Sequence, residues 1–230
     1  MRIRRWIALM GCALATVGAQ SATVLPEVYQ HLEFARKCLD QGNVDATVAS
    51  SDLILLPHIK VYVDDRAAPS RAVEALRDAQ TAWERALGQE VHFVSVPSPG
   101  QADVTIHYAS TMRREGRDVG GFATWKRSVR KATWGYDSRL TADIELRLDQ
   151  PNGQPMTRPQ LHHAAMHELG HILGLDDSAQ VGEIMGPLLL SRPAERLANG
   201  EIQALCEVRA QAQSVRMSAL FSTNTRLSLP

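Results

Sequence analysis

The sequence predicts an α+β fold in which a mixed, twisted sheet packs against long helices, and three observations support this. Runs such as 58–63 and 103–108 alternate apolar and polar residues, which is the period of a strand. The stretch 70–87 instead repeats apolar residues every three or four positions, as a helix does. The order of strand, long helix and two strands requires the helix to cross over and pack on the sheet.

Residues 1–22 have the pattern of a signal peptide. Three arginines precede an apolar run from 7 to 19, which is shorter than a typical membrane span, and small residues at 17–19 offer a cleavage site. We therefore expect an exported protein, secreted or periplasmic, with no stable membrane insertion after signal cleavage. An uncleaved membrane anchor and lipoprotein processing at Cys12 are the alternatives.

Residues 23–56 come before the sheet and are expected to form an N-terminal extension or a prosegment. Within them, 25–42 is predicted to be a helix that ends at Gly42, because apolar residues recur at helical spacing: Val28, Leu32, Ala35 and Leu39. Residues 43–56 show no clear period, so we expect a loop with a short extended piece.

The sheet is expected to begin at residue 57. After the first strand, Ser70 is a suitable N-cap for a helix of about 18 residues that Gly88 closes. Two strands follow, at 91–96 and 103–108, and a turn rich in proline and glycine separates them.

The middle of the chain is more polar. The charged and polar residues at 109–118 predict a surface loop. Apolar and polar residues alternate over 143–148, which predicts a strand. Between them lies a basic cluster, which predicts a solvated turn and, less directly, a preference for acidic substrate side chains: Lys126, Arg127, Arg130 and Lys131.

The stretch that follows Thr157 and Pro159, a good helix start, carries the chemistry. Residues 167–171 read His-Glu-Leu-Gly-His, the pattern H-E-x-x-H. On a helix, positions i and i+4 lie on one face, so His167 and His171 can point two imidazoles at one metal ion. Glu168 lies about 100° around the helix, where it can act as a general base towards a water at the metal.

A third ligand is expected just beyond this helix. Gly174 can adopt a positive φ and end the helix sharply, so that Asp177 can approach the metal from outside it. Asp176 competes for this role, but its register is one residue short. His163 precedes the motif and is not expected to be a ligand, because it lies about 12 Å from His171 along the helix axis; we exclude His162 as well.

Residues 183–187, Glu-Ile-Met-Gly-Pro, look like the Met-turn that lies beneath the zinc in metzincin metallopeptidases. With H-E-x-x-H-x-x-G-x-x-D, they make the chain resemble that clan. The segments HELGHILGLDDS and IMGP are similar to sequences of the matrixin branch found in secreted bacterial proteins. The usual third metzincin ligand is histidine, and the Asp at 177 resembles the snapalysin-like variation. The resemblance covers roughly residues 57–210.

This resemblance implies a zinc-dependent endopeptidase that hydrolyses peptide bonds. It implies that one catalytic Zn²⁺ is held by His167, His171 and Asp177, and that Glu168 is the general base. Gly174 and Met185 would be structural residues of the site. Alternatives are a catalytically silent zinc module that binds a protein partner, and a zinc hydrolase of non-peptide amide bonds.

The resemblance also implies an architecture. Residues 57–213 would form a metzincin-like catalytic domain, with a backing helix, an active-site helix and a small lower subdomain that contains the Met-turn and a C-terminal helix. We expect that helix to begin near 191–193 and residues 214–230 to form a loose tail. Gly121, Phe122 and Ala123 resemble the edge strand that lines a metzincin cleft and binds substrate as an added strand.

The expected partner is a protein or peptide substrate, and we expect a monomer. The formal net charge is zero and no basic stripe with interleaved aromatics occurs, so nucleic acid is not expected as a partner. Calcium is conceivable but unsupported, because no acidic loop has a recognisable calcium-loop spacing.

Two cysteines remain after signal removal, Cys38 and Cys206. In an oxidising compartment they predict a disulfide between the N-terminal and the last helix. The resemblance suggests another reading, a cysteine switch in which the Cys38 thiolate caps the zinc. The family's switch motif, Pro-Arg-Cys-Gly, is absent around Cys38.

Overall fold

The computed structural model describes residues 23–66 and 68–227, and the side chains among them through residue 222. The predicted signal peptide at 1–22 and Cys12 therefore lie outside the described residues. Within the described ranges, no helix is both long and apolar enough to cross a membrane.

Five α-helices, seven strands and a short 3₁₀ turn make up this described part. In chain order they are α1 (Pro26–Asp40), α2 (Val44–Leu55), β1 (His58–Val63), α3 (Ser70–Ala86), β2 (His92–Ser95), the 3₁₀ turn (Pro99–Gln101), β3 (Val104–Ala109), β4 (Arg113–Arg114), β5 (Arg117–Asp118), β6 (Gly121–Ala132), β7 (Gly135–Arg147), α4 (Arg158–Leu173) and α5 (Asn199–Leu227).

The five-stranded sheet is mixed and has the order β2-β1-β3-β7-β6. Strand β1 runs parallel to β2 and β3, β3 runs parallel to β7, and the edge strand β6 is antiparallel to β7. The connection from β1 to its parallel neighbour β2 contains α3, as the order of the predicted elements requires. The predicted α+β fold with a mixed sheet is confirmed.

The main core lies between the sheet and helices α3 and α4. Ile59, Ile106 and Ile144 come from three adjacent strands and pack in one cluster with apolar residues of both helices. Trp83 of α3 is fully buried, and its indole Nε1 donates to the carbonyl of Met166 in α4 at 3.0 Å. This contact fixes the helix that carries the H-E-x-x-H motif against the backing helix.

The prediction of a loop over 43–56 is wrong, because α2 occupies most of it. Asn43 caps this helix, and its Oδ1 accepts from the N–H of Ala46 at 3.2 Å. The buried side of α2 includes hydroxyl residues, and the Ser50 hydroxyl donates to the carbonyl of His31 in α1 at 2.8 Å. A helix that buries serine and threonine with alanine hides the apolar period that identifies helices in a sequence.

The C-terminal helix also differs from the prediction. It begins at Asn199 rather than near 191–193, and it continues through 214–227, where a loose tail was expected. Beyond Arg209, its buried residues are alanines, Ala212 and Ala219. Alanine favours helix but contributes little apolar signal, so the sequence resembles a tail.

Three smaller predictions are corrected as well. The basic residues Lys126, Arg127, Arg130 and Lys131 lie within β6 rather than in a turn, and Arg127 is buried. Ser70 is the first residue of α3, and Pro69, in extended conformation, is its N-cap. The predicted surface loop at 109–118 contains the short β4–β5 hairpin.

The two cysteines are free thiols, so the predicted disulfide is not formed in this structure. Cys38 is buried in α1, whereas Cys206 is exposed on α5. Burial raises the pKa of the Cys38 thiol, with Lys37 acting in the opposite direction. A thiol with a raised pKa is a weaker source of the thiolate that a cysteine switch needs.

Candidate metal centre

Helix α4 is defined at both ends by local contacts. At its start, the Gln160 side chain accepts from the backbone N–H of Thr157 at 2.8 Å, which is half of a capping box. At its end, Gly174 has the positive φ expected of it, 116°, and its N–H donates to the carbonyl of Gly170 at 3.0 Å. The chain reverses there and brings residue 177 back towards the helix.

Three predicted ligands converge in front of α4. Asp177 Oδ1 lies 3.2 Å from His167 Nε2 and 3.5 Å from His171 Nε2, and the three atoms all lie within 4.8 Å of one another. Among the described residues, this is the only group of three or more potential ligands that could hold one metal ion. His162, His163, Asp176 and Cys38 do not belong to it.

The hydrogen bonds of the two histidines determine which nitrogen can bind a metal. Nδ1 of His167 lies 2.9 Å from the carbonyl oxygen of Ile184, and Nδ1 of His171 lies 2.9 Å from that of Leu175. A carbonyl only accepts, so each Nδ1 carries the proton and each neutral ring has its lone pair on Nε2. This is the tautomer that a metal-binding histidine needs.

The donor set fits zinc. Ligands at about 2.0–2.1 Å in a tetrahedral arrangement are separated by roughly 3.3 Å, which is close to the two measured nitrogen–oxygen distances. Nε2 of His167 is buried and has no partner in hydrogen-bonding geometry within the described residues. A buried nitrogen lone pair without a donor is costly unless a cation occupies the site.

The Asp177 carboxylate is held in its ionised form. Burial acts to raise the pKa of this carboxyl, and protonated imidazoles at His167 and His171 would hold it well below its usual range. With the Nε2 lone pairs free, a cation held between the three groups would have the same effect. The neighbouring Asp176 is used differently, because its Oδ1 accepts from the backbone N–H of Asp177 at 3.0 Å. Asp176 therefore steadies the backbone of Asp177.

Glu168 lies beside this group without belonging to it. Its side chain is buried, and burial raises its pKa to about 7; the nearby His167 acts to lower it and Asp177 to raise it. A carboxylate with a pKa near neutrality is suited to accept and return a proton.

Gly121 allows the Glu168 side chain to occupy this place. A Cβ added at Gly121 would lie 2.6 Å from Oε1 and 2.7 Å from Cγ of Glu168. We expect Gly121→Ala to displace the carboxylate by a fraction of an ångström and to lower kcat by about 10- to 100-fold. Steady-state kinetics would test this against Gly100→Ala, where a Cβ meets only open space. Equal kcat values for the two variants would contradict the prediction.

The three residues predicted to contact substrate lie at the start of the edge strand β6. Gly121 and Ala123 are buried and share the sheet face towards Glu168, because alternate residues share a face. Phe122 lies on the opposite face, where the guanidinium of Arg114 stacks 4.6 Å from its ring centre. Its side chain therefore faces away from the metal centre.

Met185 lies beneath the centre, packed against α4. A Cβ at Gly170 would collide with its sulfur, so Gly170 permits this packing. The backbone is held by Glu201 of α5, whose two carboxylate oxygens accept from the N–H groups of Met185 and Ala198, each at 2.6 Å. Glu201 was not predicted, although an acid in the first turn of the last helix is a recognisable signal.

Trp125 is another residue that the sequence did not identify. Its ring stacks on that of His171, with centroids 5.5 Å apart and an interplanar angle of 16°. No short motif links Trp125 to His171, because the two residues meet only when β6 packs beside α4.

His163 is a buried neighbour of the site rather than a ligand. Its Nδ1 accepts from the N–H of Ala194 at 2.8 Å, which requires the proton to be on Nε2. Burial, followed by the proximity of His167, lowers the pKa of His163 to about 4. The fold therefore requires a neutral imidazole at this position.

This gives a pH prediction for stability. Between about pH 6.5 and 4 the unfolded chain binds a proton that the folded chain rejects, so the free energy of unfolding should fall by up to about 3 kcal/mol as the pH falls. In His163→Asn, an amide oxygen can accept from Ala194 without titrating, so the fall should be smaller. Urea unfolding of the zinc-free wild type and of His163→Asn, each at pH 7 and pH 4.5, measures the two falls. An equal fall in the two proteins would contradict the assignment.

A comparison with known families agrees with this geometry. The family model described as Matrixin matches residues 58–208, well over half of the chain and including all of the metal centre. A search of curated proteins found no match. The chain belongs to the matrixin family of zinc metallopeptidases.

Proposed function

We propose that this matrixin is an exported endopeptidase with a single catalytic zinc held by His167, His171 and Asp177, and with Glu168 as general base. One observation carries the proposal. Two imidazoles with their protons fixed on Nδ1 direct their free Nε2 atoms to an ionised carboxylate, next to a buried glutamate. The export part rests only on the signal-like sequence of residues 1–22.

The chemistry divides between the ion and the chain. Bound zinc supplies Lewis-acid chemistry, because it lowers the pKa of water and polarises a carbonyl group. Glu168 accepts the proton of the attacking water on its carboxylate and passes it to the departing amine. The raised pKa of Glu168 suits both transfers, because the carboxylate can take a proton and release it within one cycle.

The position of β6 supports a peptide substrate. This strand is the last in the sheet order and pairs with β7 along one edge. A peptide in extended conformation could add to the other edge near Gly121, Phe122 and Ala123, with its backbone hydrogen-bonded to theirs. Since Gly121 touches Glu168, a scissile bond beside Gly121 would lie within reach of the base.

The experiment that tests this function is cleavage of a mixed pool of quenched fluorescent peptides by the exported protein. We expect cleavage that stops when a chelator removes the zinc and returns when about one equivalent of zinc is added. Mass spectrometry of the products would give the residues on each side of the cut. Zinc-loaded protein that cleaves no peptide but releases products from cell-wall fragments would overturn the peptidase assignment.

A further inference from the structure

We infer that residues 23–56 are a permanent part of the catalytic unit, and that Glu27 is a positioning residue for the zinc ligand His171. It would act through Trp125 and Arg127. The inference rests on the proposed zinc site, and it does not depend on which bond the enzyme hydrolyses. Of the two expectations for residues 23–56, it therefore favours an N-terminal extension that belongs to the catalytic unit. A prosegment that is removed is not favoured.

Glu27 lies in the first turn of α1 and contacts β6 with one carboxylate oxygen. Its Oε1 accepts a hydrogen bond from the indole Nε1 of Trp125 and forms an ion pair with Nη1 of Arg127. The Arg127 side chain is 1% exposed and that of Glu27 is 15% exposed, so the pair is shielded from solvent. A buried pair of this kind is costly to break from one side, because the other charge stays buried.

Trp125 transmits the position of Glu27 to a zinc ligand. Its indole lies nearly parallel to the imidazole of His171, while the Nδ1 of that imidazole is bound to the carbonyl of Leu175. The carbonyl restrains the ring at one edge and the indole restrains its face. The ring orientation of His171 therefore depends on Trp125, whose indole N–H donates to Glu27.

Arg127 acts on the same ligand through the backbone. Its Nη2 lies 2.6 Å from the carbonyl oxygen of Ile172 and 3.4 Å from that of His171, at the C-terminal end of α4. Helix ends have free carbonyls, and a cation there is favourable. Burial lowers the pKa of Arg127, whereas the neighbouring Glu27 raises it and so helps to keep this cation charged.

A second set of contacts joins the segment before α1 to the chain that leads to Asp177. The N–H of Leu25 donates to the carbonyl of Gly174 at 2.8 Å, and the N–H of Asp176 donates to the carbonyl of Thr23 at 2.7 Å. Val24 and Leu175 form an antiparallel bridge between them. Residues 23–25 thus pair with the segment between the second ligand and the third.

Apolar packing stabilises the position of residues 23–56 on the rest of the domain. Helix α1 is covered by α2 and α5, and these elements share a buried cluster that includes Val24, Leu25, Val28, Leu32, Ile54, Val208 and Ala212. Removal of residues 23–56 would expose α5 and leave Arg127 without its carboxylate partner. Both consequences are expected of an integral element and not of a segment that is cut away.

Zinc retention distinguishes a positioning role from general support of the fold. In Glu27→Gln the size of the side chain is kept and the charge is lost. We expect zinc to pass to an excess of chromogenic chelator about 10- to 100-fold faster than from the wild type. The control is Leu32→Ala, which weakens the docking of α1 but leaves the Glu27 contacts in place.

The melting temperature of zinc-loaded and zinc-stripped samples separates the two effects. Leu32→Ala should lower both values equally, whereas Glu27→Gln should also reduce the difference between them. If Glu27→Gln folds poorly, Trp125→Phe provides the same test, because it keeps a ring against His171 but loses the N–H donor. Two results would overturn the inference. One is zinc release from Trp125→Phe at the wild-type rate. The other is zinc release from Leu32→Ala as fast as from Glu27→Gln.

The mass of the active enzyme gives an independent check. We expect the most active purified form, with zinc bound, to retain Glu27 and the rest of residues 23–56. An active zinc-loaded form that begins at or beyond residue 57 would overturn the inference. A wild type that binds zinc tightly and cleaves no peptide would count against the proposed function alone.

Discussion

Replacing Glu168 with glutamine is expected to lower kcat/KM for peptides by about 10²- to 10⁴-fold, with the zinc content unchanged. Glutamine has the same size and fits the space beside Gly121, but it cannot accept a proton from water. Glu168 is not one of the three convergent ligands, so its loss leaves the metal-binding atoms intact. The variant therefore separates the base from the metal site.

The measurement combines steady-state kinetics with metal analysis of the same sample. Glu33→Gln is the matched control, because it makes the same chemical change at an exposed position of α1. Its activity should equal that of the wild type. Normal turnover by Glu168→Gln would remove Glu168 from the mechanism, and loss of zinc from that variant would mean that its role is structural.

Replacing Asp177 with alanine is expected to weaken zinc binding more than about 100-fold, which exceeds the usual effect of residues behind the ligands. The change removes the only oxygen of the convergent group and its negative charge. The remaining pair, His167 and His171, has too few donors for a stable tetrahedral site. Activity should be lost in step with the metal.

Asp176→Ala is the matched control, since it removes the same group one position earlier in the chain. The Asp176 carboxylate accepts from the N–H of Asp177, and its own N–H is bound to Thr23. We therefore expect a smaller loss of affinity than in Asp177→Ala. Competition with a zinc-binding dye measures both constants; a larger effect at Asp176 would show that the assigned ligand register is wrong.

Sequence reasoning succeeded where structure is set by local spacing. The alternating strands and the helix at Ser70–Ala86 follow from periods that hold within a few residues. His167 and His171 come together because four residues on a helix nearly complete a turn. Gly174 ends the helix because a glycine adopts positive φ at little cost.

Sequence reasoning failed where a long-range contact gives a residue its role. Arg127 looked like one more cation in a solvated turn, but alternation along β6 turns it inward to Glu27, about 100 residues earlier. Helix α2 was missed because its buried serines are satisfied by carbonyl groups, including one of α1. Neither partner could be identified before the fold placed the two segments side by side.

The pairing of Val24 with Leu175 has a consequence for how the molecule assembles. This bridge closes a loop of about 150 residues, and Glu201, which holds the Met185 backbone, lies later still. Contacts between such distant residues form slowly and after the local helices and hairpins. The zinc ligands should therefore reach their final geometry only after Glu201 has been synthesised, and a shorter growing chain would have no working protease site.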